Sequence, residues 1–552
     1  MSRLTRRSPH EYELLPRASF ESEDFLELRR TPSKPSWLNR LSSRVPGVSK
    51  LSDRAIYTHY VTPRRRKRSV LRLIYWSIFS VPYILVLLVL VAAIFFPSYT
   101  VRPAHYQELR KRALKDTTPG RGNPYHEKVF IAAALSEEKG HLTSGAWGKA
   151  VLQLVDLLGP ANVYLSVYED NTDAETKLSM TEFRRKATCM SFPTFELPHT
   201  NRVGNATVVY EDLDLSTLPH ITLPTGESRL KRIAFLAEVR NRALAPLDTS
   251  TTKFDKILYL NDVVFDPIEA TQLLFATNID TTGRANYAAA CAVDFIMPFK
   301  FYDRFATRDF EGRVTGLPFF PWFTSAGAGT SRKEVMAGKD AVRVRSCWGG
   351  MTAFEAKWFQ DQTPVGVDPA TASASAQHTS PNPRVSPLRF RYDTNTFWES
   401  SECCLINADL QYRRSGKGMP ADSGIYLNPF VRVAYDETTL KWLSLIRRPE
   451  RLYSPIHDIL NYFVGFPKEE KRFGEEVGQN VTDTIWVYDD PIKGFAANAT
   501  QADLKGHYMN VTRISEPGSF CGSPNLLVIN EKPEHGEGAW SKIWVPRPPN
   551  RR

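Results

Sequence analysis

From Val129 onward the chain alternates short, unbroken apolar runs with longer stretches whose apolar positions recur every three or four residues. The short runs have the pattern of strands buried on both faces, and the three-and-four spacing is that of amphipathic helices. VFIAAAL, from Val129, is the first strand, and Trp147 to Leu158 is a helix stopped by Gly159 and Pro160. Val163 to Tyr168 is a second strand, ending in Glu169 and Asp170. A helix at DAETKLSMTEFRRKA, a strand at Thr207 to Tyr210, a helix from Ser228 to Leu244 and a strand at Ile257 to Leu260 continue the series. This alternation predicts an α/β fold, a Rossmann-type, mostly parallel sheet with helices on both faces.

The strand KILYL is stopped by Asn261 and Asp262. Open α/β sheets bind ligands outside the carboxyl ends of their strands, which makes Asp262 the first candidate for a metal or substrate ligand. A turn with a capping side chain is the competing reading of the pair. Further on, residues 268 to 278 read as a helix and ANYAAACAVDF as a strand closing on Asp294, followed by a polar loop holding Asp303, Arg308, Asp309 and Glu311. Cys347, Trp348, Gly349 and Gly350 stand between two short strands; the glycines would let backbone approach a sugar and the indole would stack on it, or the four residues make a hairpin turn. Residues 361–387, rich in Pro, Ala, Ser and Thr, read as a surface insertion, and SSECCLINADL as a helix capped by Ser400 or Ser401, with Glu402 in its first turn.

In the helix ending at Leu244 the apolar stripe runs Leu230, Ile233, Ala237, Arg240, Leu244. An arginine in a stripe position needs an interior partner, either a phosphate matched bidentately or a buried carboxylate.

Charge and hydropathy place the chain. Residues 1–72 carry 17 Lys and Arg against 7 Asp and Glu, leaving 54 against 53 for the remainder, so all but one unit of the net charge of +11 belongs to a disordered basic tail and is no nucleic-acid signal. Leu73 to Pro97 contains no charged residue and is long enough to span a bilayer as a helix. Arg64 to Arg68 beside it hold the N-terminus in the cytosol, so the rest of the chain is lumenal or extracellular. The glycosylation pattern at Asn205, Asn480, Asn498 and Asn510 and all six cysteines lie after the span, in agreement. The first strand lacks a GxGxxG, which argues against a dinucleotide-dependent oxidoreductase, and the cysteines lack zinc-chelating spacing. Residues 98–125 read as a polar stem, 126–440 as the catalytic domain and 441–552 as an appended lumenal extension, helical over 441–465.

LAEVRNRALAPL, KILYLNDVVFDP, AACAVDF, FYDRFATRDFEG, VRSCWGG, SECCLINADL and NPFVRVAY, as an ordered set over roughly residues 126–435, resemble the fungal cryptococcal α-1,3-mannosyltransferase and capsule-associated family, glycosyltransferase family 69. The resemblance implies a GT-A-like fold in a type II membrane protein of the secretory pathway, of Golgi type. It implies retaining transfer of mannose from GDP-mannose to a mannose-containing glycan with a divalent cation, Mn2+ or Mg2+. Asp262 matches the last acid of the metal-binding DxD region, whose first aspartate is missing because the residues are Leu260, Asn261, Asp262. Arg240 and Asn241 resemble a pair facing donor phosphates, Gly349 and Gly350 a glycine loop, and Glu402 an acceptor-side acid. For a C-terminal metal histidine only His457 and His507 are well placed.

In that chemistry Asp262 would hold the ion, Arg240 would neutralise the leaving diphosphate and Glu169 would accept a ribose hydroxyl. Asp294, Asp309 and Glu402 are the candidates for orienting or deprotonating the acceptor. The rival readings are a non-catalytic glycan-binding or export factor of the same fold, and a glycoside hydrolase.

Overall fold

The computed structural model of the chain describes residues 70–137, 139–170, 173–190, 206–222, 228–360, 387–418, 420–488, 506–531 and 538–544. The basic tail and the 361–387 insertion fall almost wholly outside these, as do Asn205 and Asn498. The apolar segment forms helix α1, Val70–Phe95, in which Ile74–Phe95 is long and apolar enough to cross a membrane. The helix up to Leu90 and the chain from Val91 onward are separate units.

In the body, α2 (Ala104–Lys115) precedes β1 (Val129–Leu135), α3 (Ala146–Leu158), β2 (Val163–Asp170), α4 (Ala174–Met190), β3 (Ala206–Glu211), α5 (Arg232–Leu244), β4 (Lys256–Leu260), α6 (Pro267–Ala276) and β5 (Ala289–Met297). Then come β6 (Arg308–Asp309), β7 (Val342–Ser346), β8 (Met351–Glu355), α7 (Glu402–Ser415), β9 (Ile425–Ala434), α8 (Glu437–Ile446) and α9 (Tyr453–Val464). The sheet runs β3-β2-β1-β4-β8-β5-β9-β7-β6. β3, β2, β1 and β4 are parallel, as are β5 and β9; β8 is antiparallel to both β4 and β5, and β7 to β9.

Both faces are covered, which is why these strands lack polar alternation. Val129, Ile131 and Ala133 pack with Trp147, Leu154, Phe183 and Leu273 on one face, while Phe130 and Ala132 pack with Ala237 and Leu244 of α5 on the other.

Five expectations change. Ser228–Leu230 pairs as a strand with His220–Thr222, and the helix starts only at Arg232, because Lys231 turns inward to donate to the carbonyls of Asp393 and Asn395. β5 runs through Asp294 to Met297, so that acid lies inside a strand. β7 and β8 are not neighbours, so Trp348–Gly350 is a crossing between separated strands and no hairpin. The stretch read as a stem is docked: Tyr106 is fully buried, its hydroxyl accepting from Asn428 Nδ2 at 2.7 Å and its carbonyl from Gln272. The stretch read as an extension is stitched to the body by the Cys404–Cys521 disulfide and by the buried Arg432–Glu450 ion pair of 2.7 Å.

Candidate functional site

The carboxyl end of β4 meets the start of α7 and the loop after β5. Asn261 is held on every side: its N–H donates to Gly350 O (2.9 Å), its carbonyl accepts from the Trp147 indole (2.8 Å), and its Oδ1 accepts from both Arg240 Nη1 and Trp348 Nε1 (3.1 Å each). The oxygen standing where a DxD region has its first aspartate is thus engaged in fixing Arg240 and Trp348. Asp262, the next residue, is partly exposed, and among the described residues no other residue makes a hydrogen bond or ion pair to its carboxylate. Its dense surroundings push its pKa up to about 6, Arg240 opposing the shift.

Arg240 is the hub. Its Nε donates to Glu402 Oε1 at 3.0 Å, and its guanidinium lies 4.7 Å over Trp348, with Tyr259 and Phe390 also within cation–π reach. The stripe arginine therefore has a buried carboxylate, one of its two expected partners. The Trp348 face expected to stack on a sugar is covered by that guanidinium. Asn241, expected to face donor phosphates beside it, is doubly bonded to the backbone of Phe390, as donor and as acceptor at 2.8 Å.

Gly349 and Gly350 have φ of +57° and +65°, and a Cβ at either would strike Ala292 O at 2.0 Å or the Val263 side chain at 2.6 Å. They are glycines because the crossing presses against β5 and Val263. The Gly349 N–H donates to Asp303 Oδ2 at 3.1 Å.

Asp294, fully buried, and the half-buried Asp303 form an acidic pair. Asp294 accepts from the Asp303 N–H (3.0 Å) and from the Tyr435 hydroxyl (3.2 Å), and burial, reinforced by Asp303, drives its pKa well up. Tyr302 and Tyr435 pack edge to face at 4.7 Å, and both feel the charges of this pair and of Asp262. Arg232, buried and with its Nε unpartnered, is electrostatically coupled to Glu402 and Tyr302. Arg232, Tyr302 and Tyr435 were not singled out from the sequence, and Asp303 was named only as one of four charged residues in its loop. Asp303 and Tyr302 sit in the polar FYDRF run, but nothing in spacing separates them from Asp309.

Other expected residues lie apart. Asp309 is on the outermost strand, β6, closing a tight turn by accepting from the Arg313 N–H at 2.7 Å; burial pushes its pKa up to about 6. Glu169 lies at the end of β2, where it accepts from the Glu137 N–H at 2.8 Å. Its Oε2 is buried without a partner, and burial pushes its pKa up to about 8. His457 is buried between Arg332, Asn461 and Leu317 O, its pKa pushed down to about 4 by burial, and His507 is on the Gly506–Ile514 strand of a separate hairpin. Neither is assigned to the Asp262 cluster.

Among the described residues no group of three or more His, Cys, Asp or Glu side chains is placed to hold a metal. An ion built entirely on protein ligands does not fit. A single unpaired carboxylate, Asp262, fits an ion that arrives with its other ligands on a diphosphate, as magnesium-type ions do.

A search of curated protein sequences finds no match. By structure the chain is similar to a mannosyltransferase from Pyrobaculum calidifontis solved with GDP-Man and Mn2+, at 11% identity and TM-score 0.29, over 65% of this chain and 71% of that one. It is also similar to mannosyl-3-phosphoglycerate synthase from Rubrobacter xylanophilus, at 12% identity and TM-score 0.27, over 76% and 98%. The family model of Cryptococcal mannosyltransferase 1 matches residues 128–409, the span that contains β1 to β8, Arg240, Asp262, Asp303 and Glu402, and the chain belongs to that family.

Proposed function

We propose that this chain is a GT-A-like, type II membrane glycosyltransferase of the Golgi or a neighbouring secretory compartment. It transfers mannose from GDP-mannose to a mannose-containing glycan, in an α-1,3 linkage and with retention. The observation that carries this reading is the unpaired Asp262 carboxylate at the end of the central strand, next to an interior guanidinium, in a member of a mannosyltransferase family.

The reaction breaks the bond from mannose C1 to a phosphate oxygen, and negative charge grows on the departing diphosphate. A divalent cation bound with the donor supplies charge neutralisation there, and Asp262 is the residue that would hold it. Arg240 cannot rotate towards solvent, because Glu402, Asn261 and Trp348 fix it, so it contributes a pre-oriented positive charge. Arg232 adds a second buried cation whose Nε–H has no hydrogen-bond partner among the described residues. Asp294, fully enclosed and with its pKa driven up, favours the neutral acid and serves by holding the Asp303 backbone and the Tyr435 hydroxyl rather than by abstracting a proton. Glu169, apart from the Asp262 cluster, keeps its assignment to a ribose hydroxyl only through its Oε2, which lacks a partner among the described residues. Asp309, engaged in its turn on the edge strand, is left out of this reading.

The test is incubation of the purified full chain in detergent with GDP-mannose and mannobiose acceptors, with and without Mn2+, followed by product analysis. Acceptor-dependent release of GDP and an extended glycan support the reading. Donor binding with neither product would leave the non-catalytic glycan-binding role instead.

A further inference from the structure

Helix α9 is turned inside out for a protein surrounded by water. Its buried positions are Ser454, His457 and Asn461, one polar stripe at spacings of three and four. These bind the body through polar contacts: Arg332 donates to Ser454 Oγ at 2.8 Å and meets His457 Nδ1 at 3.2 Å, and Asn461 Oδ1 accepts from the Leu317 N–H at 2.9 Å. The opposite face is apolar and bare. Tyr462 is 82% exposed and Phe463 77%, with Ile456 and Ile459 beside them, and α8 adds Trp442 and Leu445. The one acid on this face of α9, Asp458, is neutralised by Arg332 at 2.7 Å. Lone exposed apolar side chains are ordinary; six on two consecutive helices, with a polar stripe facing inward, are not.

The chain's own connectivity says what covers them. The apolar span ends at Phe95. Only three residues on, Ser98 is already buried and its N–H donates to the carbonyl of Arg447, the residue that ends α8, at 3.2 Å. Three extended residues reach about 10 Å, so the carboxyl end of α8 cannot stand further than that from the end of the span. With no free stem between them, the carboxyl end of α8, from which this face continues, is held close to the end of the span. Trp442 and Tyr462 are the residue types that favour a bilayer's interfacial zone, and exposed Lys441 and Arg448 suit its headgroups.

We propose that the outer face of α8 and α9 is a second membrane attachment, lying in the interfacial layer of the leaflet on the body's side of the span. The span tethers the chain, and this face fixes the orientation of the body on the bilayer. The proposal does not depend on the mannosyl-transfer reading.

The full chain, reconstituted into phosphatidylcholine vesicles carrying a diazirine-labelled acyl chain, is photolysed, digested and mapped by mass spectrometry. Lipid adducts are expected within residues 442–463 as well as in the span. In Ile459→Glu/Phe463→Glu, two exposed positions whose change leaves the core untouched, adducts in 453–463 fall about tenfold while those in the span persist. Adducts confined to the span overturn the proposal.

Discussion

Arg240 and Glu402, 162 positions apart in sequence, meet at 3.0 Å where α5 and α7 face each other beneath the end of β4. Each is nearly enclosed, so neither has water to fall back on. Replacing Glu402 by Ala leaves a buried cation without its counter-charge and is expected to cost about 3–5 kcal/mol of stability, read by urea unfolding. A loss under about 1 kcal/mol would mean that the pair is solvated and that Arg240 is free to turn away.

Asp262 carries the opposite signature. Its pKa is about 6 in the folded chain against an ordinary 3.8, so the folded state keeps a proton that the unfolded state has lost across that window. Stability therefore falls as pH rises from about 4 to about 6, and the penalty is complete above that. Asp262→Asn is expected to be more stable than the parent by about 1–3 kcal/mol at pH 7.5, the lower part of that range reflecting partial exposure, with the gain gone near pH 4. Urea titrations at the two pH values measure it; an Asn variant equally stable or weaker at pH 7.5 refutes the assignment of Asp262 as an unpaired carboxylate with a raised pKa.

Activity should follow the same group. Because the ionised form of Asp262 is the useful one, kcat/KM for GDP-mannose is expected to drop as pH falls through about 6. A profile flat to pH 5 would remove Asp262 from the reaction.

The docked segment before β1 gives a packing prediction. Tyr106 fills a site lined by Phe430 and Asn428, and Tyr106→Ala should cost about 3–5 kcal/mol. A body truncated at residue 126 should fail to fold, whereas a stem with no packing role would make both changes silent in thermal unfolding.

The Cys404–Cys521 disulfide fixes the first turn of α7, where Glu402 stands, to the C-terminal region. Cys521→Ser is expected to lower stability by about 2–5 kcal/mol and to loosen donor binding through Glu402 and Arg240. Unchanged unfolding and binding would mean that the link is idle.

Much of this was legible in the chain itself because it rests on short-range pattern. Unbroken apolar runs marked β1, β2 and β4, and the interruption of a helix stripe marked Arg240 as interior. What stayed hidden depends on pairings between distant segments. β8 inserts antiparallel between β4 and β5, and no local pattern tells that strand from a parallel one. Gly349 and Gly350 follow a tryptophan as a sugar-contacting loop would, yet the atoms they avoid belong to Ala292 and Val263. Tyr106 looked solvated because α2 is polar overall, with only Tyr106, Leu109 and Ala113 buried. Asp303 and Asp309 are six positions apart in one polar run, and only the fold separates the one beside Gly349 from the one at the sheet's edge.

The most direct measurement is steady-state GDP release from GDP-mannose with a mannobiose acceptor, comparing the full chain with Asp262→Asn after both are shown to be folded. The account predicts that the Asn variant is stable and has lost about 100-fold or more in kcat/KM. An Asn variant that turns over within about twofold of the parent would contradict it, because the reaction would then not use the carboxylate at the end of β4.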